Sequence, residues 1–302
     1  MESLRRYESI VPNFDAFRTA LTRPLPTTVR VNTIQATPQR VIDAFEDADI
    51  RVKQRETQET LLEVGTNKPG NTWAHVHGWI HGQEEVSTIP PRVLDPDPGD
   101  TVWAAAAAPG GKATQIAARM DDRGLVIAND DNLGRLSALR SNADRLGVTS
   151  MAVTNQDARN FSFNPIGIEG VDHALVDAPC TCEGTLRKNP DALDDAGPGA
   201  SQNLATVQRD ILVRAIKATR HGGTVVYSTC TFAPEENESV VDAAITETAA
   251  HVVDFETRLP TEPGLKSWDG TDFHPTLEKT KRYYPHQTDT GGFYVAKLEV
   301  GQ

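Results

Sequence analysis

The chain has 302 residues and 38 % hydrophobic content, enough for a substantial core, and no apolar run approaches membrane-spanning length. Its net charge is −12, from 30 Lys+Arg against 42 Asp+Glu. Such an acidic excess fits hydration in a high-salt cytoplasm, where it lowers the case for nucleic-acid binding only slightly. Three cysteines and an N-terminus without an apolar leader argue against a disulfide framework and predict a cytoplasmic protein with reduced thiols.

In chain order, residues 1–25 read as a helical lead-in, with Tyr7, Phe14, Phe17 and Leu21 on one face and Pro24 and Pro26 as its end. A strand follows at 29–33. Thr37 as N-cap and Pro38 at the first position open a helix, and a strand covers 50–53. His75, His77 and His81 sit in a stretch that alternates like a strand. Imidazole suits zinc, but no fourth ligand stands at a recognisable spacing, so no metal site is predicted. Pro90-Pro91 and the turn-rich stretch from Asp95 to Asp100 mark a boundary. Residues 1–95 are expected to form a small α+β unit and residues 96–302 a second domain.

From Thr101 the pattern alternates between strand and helix. Strands are expected at 101–105, 125–128, 151–154, 172–176, 224–228 and 293–298. Helices are expected at 113–120, 133–146, 203–220 and 236–250, with Gly222-Gly223 stopping the third. Residues 190–201, including the turn acids Asp194 and Asp195, read as a lid-like loop. The fold class is α/β, a Rossmann-like domain with a small N-terminal unit.

Chemistry gathers at the strand ends. Asp177 and Cys180 follow one strand and Cys230 another, at the edge where open α/β sheets bind ligands. The turn Ala106-Ala107-Ala108-Pro109-Gly110-Gly111-Lys112 follows the first strand, but it has neither the Walker nor the dinucleotide glycine spacing. Asp130 and Asp157, after the second and third strands, read either as solvated turn acids or as partners of a nucleoside. In the second case Asp130 meets the ribose and Asp157 the adenine amine. S-adenosylmethionine has no phosphate and needs no phosphate cradle.

Three segments match, in order and spacing, the RNA cytosine-C5 methyltransferase family of the Nop2/Sun/RsmB type. They are Ala107-Ala108-Pro109-Gly110-Gly111-Lys112, Asp177-Ala178-Pro179-Cys180 and Ser228-Thr229-Cys230-Thr231. Asn129-Asp130 with Arg135, Asn142 and Arg145, the stretch 83–91 and the ending Gly291-Gly292-Phe293-Tyr294 resemble it too, in an archaeal-like form. Arg30-Val31-Asn32-Thr33 resembles its N-terminal RNA-binding unit. The resemblance implies methylation of cytosine C5 in RNA through a Cys230–C6 adduct. Cys180 would assist release, Asp177 would bond the Watson–Crick edge, and Lys112 would line the base pocket. Ala106 to Lys112, Asp130, Arg135, Asp157 and Asp177 would hold S-adenosylmethionine. The implied protein is a monomer acting on RNA, tRNA in preference to rRNA because the N-terminal appendage is small, with no membrane partner. The family more often has Asp and Cys where this chain has Ala104 and Ala106, and Ser-Gly in place of Thr181-Cys182; Cys182 reads as structural. The alternative is a weakly active or inactive RNA-binding scaffold that keeps the fold.

Overall fold

A computed structural model describes residues 2–301 except Asn67 and Asp195, so the turn acid Asp195 lies outside the described residues. The lead-in is a 3-10 helix, Glu2–Tyr7, followed by α1 (Phe14–Leu21), which Asn13 caps by accepting from the Ala16 N–H. Leu4, Tyr7, Phe17 and Leu21 pack on Phe232, Ala233 and Tyr284, far along the chain. By packing, this segment therefore joins the larger sheet's side of the molecule.

The N-terminal unit comprises β1 (Thr28–Val31), α2 (Pro38–Glu46), β2 (Val52–Arg55), β3 (Gln58–Val64), α3 (Trp73–Val76) and β4 (Ile80–Gly82). Its antiparallel sheet has the order β2-β3-β1-β4. Thr37 accepts from the Arg40 N–H, and Pro38 follows at the first helical position, as expected. The strand expected through His75 and His77 is instead the short helix α3, because the Thr72 hydroxyl accepts from the His75 N–H and starts a turn. Pro90-Pro91 does not form a turn. It sits at the start of α4 (Ile89–Leu94), where the missing proline N–H leaves no bond unmade.

The larger sheet takes β5 (Thr101–Ala104), α5 (Gly111–Arg119), β6 (Leu125–Asn129), α6 (Leu133–Leu146), β7 (Met151–Thr154), β8 (Val171–Asp177), α7 (Pro198–Ala218), β9 (Thr219–Thr229), α8 (Glu238–Glu247) and β10 (Ala250–Val253). Short strands β11 (Glu262–Pro263), β12 (Ser267–Trp268), β13 (Thr271–Asp272) and β14 (Lys281–Tyr283) lead through α9 (Pro285–Thr288) to β15 (Phe293–Val300). The strand order is β11-β14-β15-β9-β8-β5-β6-β7, with β10 paired to β15 and β12-β13 forming a separate hairpin. Strands β7, β6, β5, β8 and β9 run parallel; β15 returns antiparallel to β9. Trp103, Ile127, Val176 and Tyr227 bury one face of this sheet, and Val102, Ala128, Leu175 and Val226 the other. Both faces being covered explains the continuous apolar runs in β5 and β8.

Two expectations change here. The helix α7 starts at Pro198, so the expected loop over 190–201 is mostly a 3-10 turn, Pro190–Leu193, and the first helical turn. Gly222 and Gly223 do not end that helix. They lie within β9, where the register against β8 shifts and a Cβ on Gly223 would come within 2.4 Å of the Asp172 carbonyl oxygen. Among the described residues, no helix is long and apolar enough to cross a membrane.

Candidate active site

Strand order reverses between β5 and β8, and a cavity of about 630 Å³ opens at their carboxyl ends. Its walls are the turn after β5, the end of β8, Cys230 after β9, and His81 to Glu84 from the N-terminal unit. The sheet thus delivers the motif residues to one place. Cys180, Cys230, Asp177 and Lys112 all line it.

The sulfurs of Cys180 and Cys230 lie 3.2 Å apart. Their loops are locked by a buried polar brace. The Thr181 hydroxyl donates to Glu236 at 2.6 Å and meets the Thr231 hydroxyl at 2.8 Å, and Gln208 also donates to Glu236. The Gly184 N–H donates to the Cys230 carbonyl, and the Gly292 N–H to the Gly184 carbonyl, each at 2.8 Å. Such closed networks fix side chains in a low-dielectric interior. Contacts with Cys182 and Cys230, together with burial, push the Cys180 thiol well above the usual thiol range. For Cys230, contact with Cys180 favours the thiolate, but contact with Cys182 and burial outweigh it and raise the thiol.

Asp177 ends β8, and its two oxygens are both engaged. Oδ2 accepts from Lys112 Nζ at 2.7 Å and Oδ1 from the Ser228 hydroxyl at 2.9 Å. The Lys112 ammonium also lies 5.3 Å from the Phe293 ring centre, a cation–π distance. The acid is thereby oriented at the cavity wall rather than free to rotate.

The cofactor side is more mixed. Ala106, Ala107, Ala108, Pro109, Gly111, Lys112 and Arg135 line the cavity. Gly110 starts α5 with φ +105° and no side-chain cap, so the first N–H groups of a nine-residue helix are left for an anionic group such as an amino-acid carboxylate. A Cβ at Gly110 would press on the Leu139 side chain at 2.7 Å, and the positive φ strains any larger residue there. These donors fit the methionine part of S-adenosylmethionine. Asp130 is nearly fully buried; it accepts from the Ala108 and Asn132 N–H groups and sits 3.6 Å from Arg135. It organises the turn and is not on the cavity wall. Asp157 caps the 3-10 turn Ala158–Asn160 and pairs with Arg159, whose hydrogen bonds hold its carboxyl below the usual range. It too is not on the wall, so the structure does not bring it to the other cofactor-side residues.

Glu84, Lys188 and Cys182 stand on the wall although the sequence assigned none of them to the site. Glu84 accepts from the Gly291 N–H, and burial pushes its carboxyl up. Lys188 follows the Cys182 turn. Cys182, read as structural, lies on the cavity wall with its sulfur 3.9 Å from that of Cys180. Glu84 lay within the family-like stretch 83–91, and Cys182 carried a signal in its second-neighbour spacing from Cys180. Ala104 is buried and Ala106 lines the wall, so methyl groups stand at the two departures from the family pattern. His77 is stacked between Trp73 and Trp79, at 5.4 and 5.5 Å, on the N-terminal unit.

A family model described as 16S rRNA methyltransferase RsmB/F matches residues 91–299. The ribosomal RNA small subunit methyltransferase F of Shewanella loihica is 34 % identical over 294 residues, covering 95 % of this chain and 59 % of that protein. The chain spans about three fifths of the length of the curated relatives it matches. A crystal structure of a methyltransferase homologue from Pyrococcus horikoshii superposes with a TM-score of 0.83 at 28 % identity, over 98 % of this chain and 93 % of that one. NSun6 from Pyrococcus horikoshii, solved with SFG, superposes with a TM-score of 0.85 at 23 % identity over 100 % and 98 % of the two chains, which shows the shared Rossmann-like methyltransferase fold. The chain belongs to the RsmB/F family of 16S rRNA methyltransferases, within the RNA cytosine-C5 methyltransferases that its motifs resemble.

Proposed function

We propose that this protein methylates C5 of cytosine in RNA, with S-adenosylmethionine as methyl donor and Cys230 as nucleophile. The observation that carries this reading is the pair of strand-end thiols, 3.2 Å apart, in one cavity with the Lys112–Asp177 ion pair. Bound S-adenosylmethionine supplies an electrophilic methyl group. The Cys230 thiolate adds to C6 of a base that has left its stack, and the displaced electron pair makes C5 nucleophilic. Asp177, held by Lys112 and Ser228, accepts a hydrogen bond from N3–H, the proton that Cys230 gives up moving onto N3 as its sulfur adds to C6. After transfer, Cys180, having released its own proton to solvent through the open cavity, takes the proton from C5 as a thiolate, and the Cys230–C6 bond breaks with its electron pair returning to the Cys230 sulfur, which restores the aromatic base. The turn Ala106 to Lys112 and Arg135 hold the donor, with Asp130 keeping the turn in shape; a contact from Asp157 would require it to leave Arg159.

Residues 1–95 are proposed as the RNA-binding unit, with its lead-in helices packed on the other domain, and 96–302 as the catalytic domain. The relatives' names favour small-subunit ribosomal RNA over tRNA as the first substrate to test. Bisulfite sequencing of both RNA classes, with and without the gene, should reveal a cytosine whose protection depends on it. Loss of that signal in Cys230→Ala is expected; full protection by the variant would sink the assignment. The scaffold alternative draws on Ala104 and Ala106. Titration calorimetry separates the two readings, since a scaffold would not bind the methyl donor.

A further inference from the structure

The proposed reaction uses two thiols, yet the cavity holds three. Cys182 Sγ lies 3.9 Å from Cys180 Sγ, which lies 3.2 Å from Cys230 Sγ, and all three sulfurs are within 4.8 Å of one another. Each borders the cavity, so a small cation reaches them without unfolding the chain. Cys182 also has φ +59°, in the left-handed region where glycine is at ease and a side chain is strained. The backbone therefore gives no reason for a thiol at this position.

We propose that Cys180, Cys182 and Cys230 form a binding site for one soft divalent cation of the zinc and cadmium class. Tetrahedral zinc with Zn–S bonds of about 2.3 Å sets its sulfurs about 3.8 Å apart, close to the spacing already present. The donors are all sulfur, which selects soft cations over magnesium or calcium. Binding releases the three thiol protons and leaves a complex of net charge −1. Arg135 and Lys188, on the same wall, offset that charge. The fourth coordination position faces the cavity and takes water. Granted the methyl-transfer reading, the cation ties up the Cys230 sulfur, so zinc and RNA compete for the site.

The test uses the purified full chain with no RNA and no methyl donor, kept reduced by a phosphine. Cadmium is titrated while thiolate-to-metal absorption is followed, and zinc is measured by competition with a chromophoric chelator. One cation per chain is expected. Cys182→Ser and Cys182→Gly should each weaken binding by at least about tenfold, the low end of the effect of losing even an outer partner of a metal site. Glycine suits the backbone at this position, so that variant guards against misfolding. Absence of a saturable band, or unchanged affinity in both folded variants, overturns the proposal. Neither result bears on methyl transfer, which is assayed separately, so failure of one reading leaves the other standing.

Discussion

Lys112 Nζ donates to Asp177 Oδ2 at 2.7 Å and so joins the first turn of α5 to the last residue of β8. The bond spans the crevice where the strand order reverses, and it places a cation and an acid on the cavity wall to which the proposed reaction assigns the base. Lys112→Met is expected to lower kcat about a hundredfold or more, the range for a lost proton-transfer or charge-stabilising group. The donor's Kd should move far less, because the turn meets the donor through backbone N–H groups that the substitution leaves in place. Single-turnover methyl transfer and calorimetry make the comparison; an unchanged kcat contradicts the role.

Gly184 is the crossing point of the two thiol loops. A Cβ there would come within 2.3 Å of the Gly292 carbonyl oxygen and 2.8 Å of the Cys230 carbonyl oxygen. Gly184→Ala should therefore destabilise the fold by about 1–3 kcal/mol, as overpacking does, and displace Cys230. Urea denaturation and initial rates should both register the change.

Arg282 and Glu238 form a fully buried ion pair behind β15, with the guanidinium also donating to the Phe232 carbonyl at 3.0 Å. Removing one partner strands a charge. Arg282→Met should cost about 3–5 kcal/mol in chemical denaturation. The double variant Arg282→Met, Glu238→Met should recover part of that loss; an equal or larger cost for the double variant would argue against charge as the cause.

His81 gives a pH signature. Burial first, then Arg30 and Arg145, lowers its imidazole to about 3. The unfolded chain binds the proton near 6.5, so between those values the unfolded state holds more protons. Stability from the neutral ring is thus present above about 6.5 and falls with pH below it, by about 1.4 kcal/mol per pH unit. Subtracting the profile of His81→Gln isolates this slope. A flat difference between pH 6.5 and 4 would contradict it.

Much of the site was legible because it sits at strand ends. Apolar runs located β5, β6, β7 and β8, and the residues that follow β5 and β8 fall into one cavity by topology alone. Pairings across the crevice were not legible. Lys112 and Asp177 are 65 residues apart in the chain, and no local pattern marks their contact. Asp157 was misleading for the opposite reason: it has a satisfying local partner, Arg159, two residues away. Cys182 was underrated because its value depends on Cys230, across two loops. In the N-terminal unit, β3 escaped because Glu59, Thr60 and Glu63 break its apolar alternation.

The central claim is that Cys230 attacks C6 and Cys180 frees the product. It is tested most directly by incubating the Cys180→Ala variant with RNA and S-adenosylmethionine and separating the products under denaturing conditions. A protein–RNA band that survives denaturation is expected, with peptide mapping placing the link at Cys230, and the Cys180→Ala, Cys230→Ala double variant should lack it. A stable link through Cys180 or Cys182, or multiple-turnover methylation by the double variant, would contradict the account.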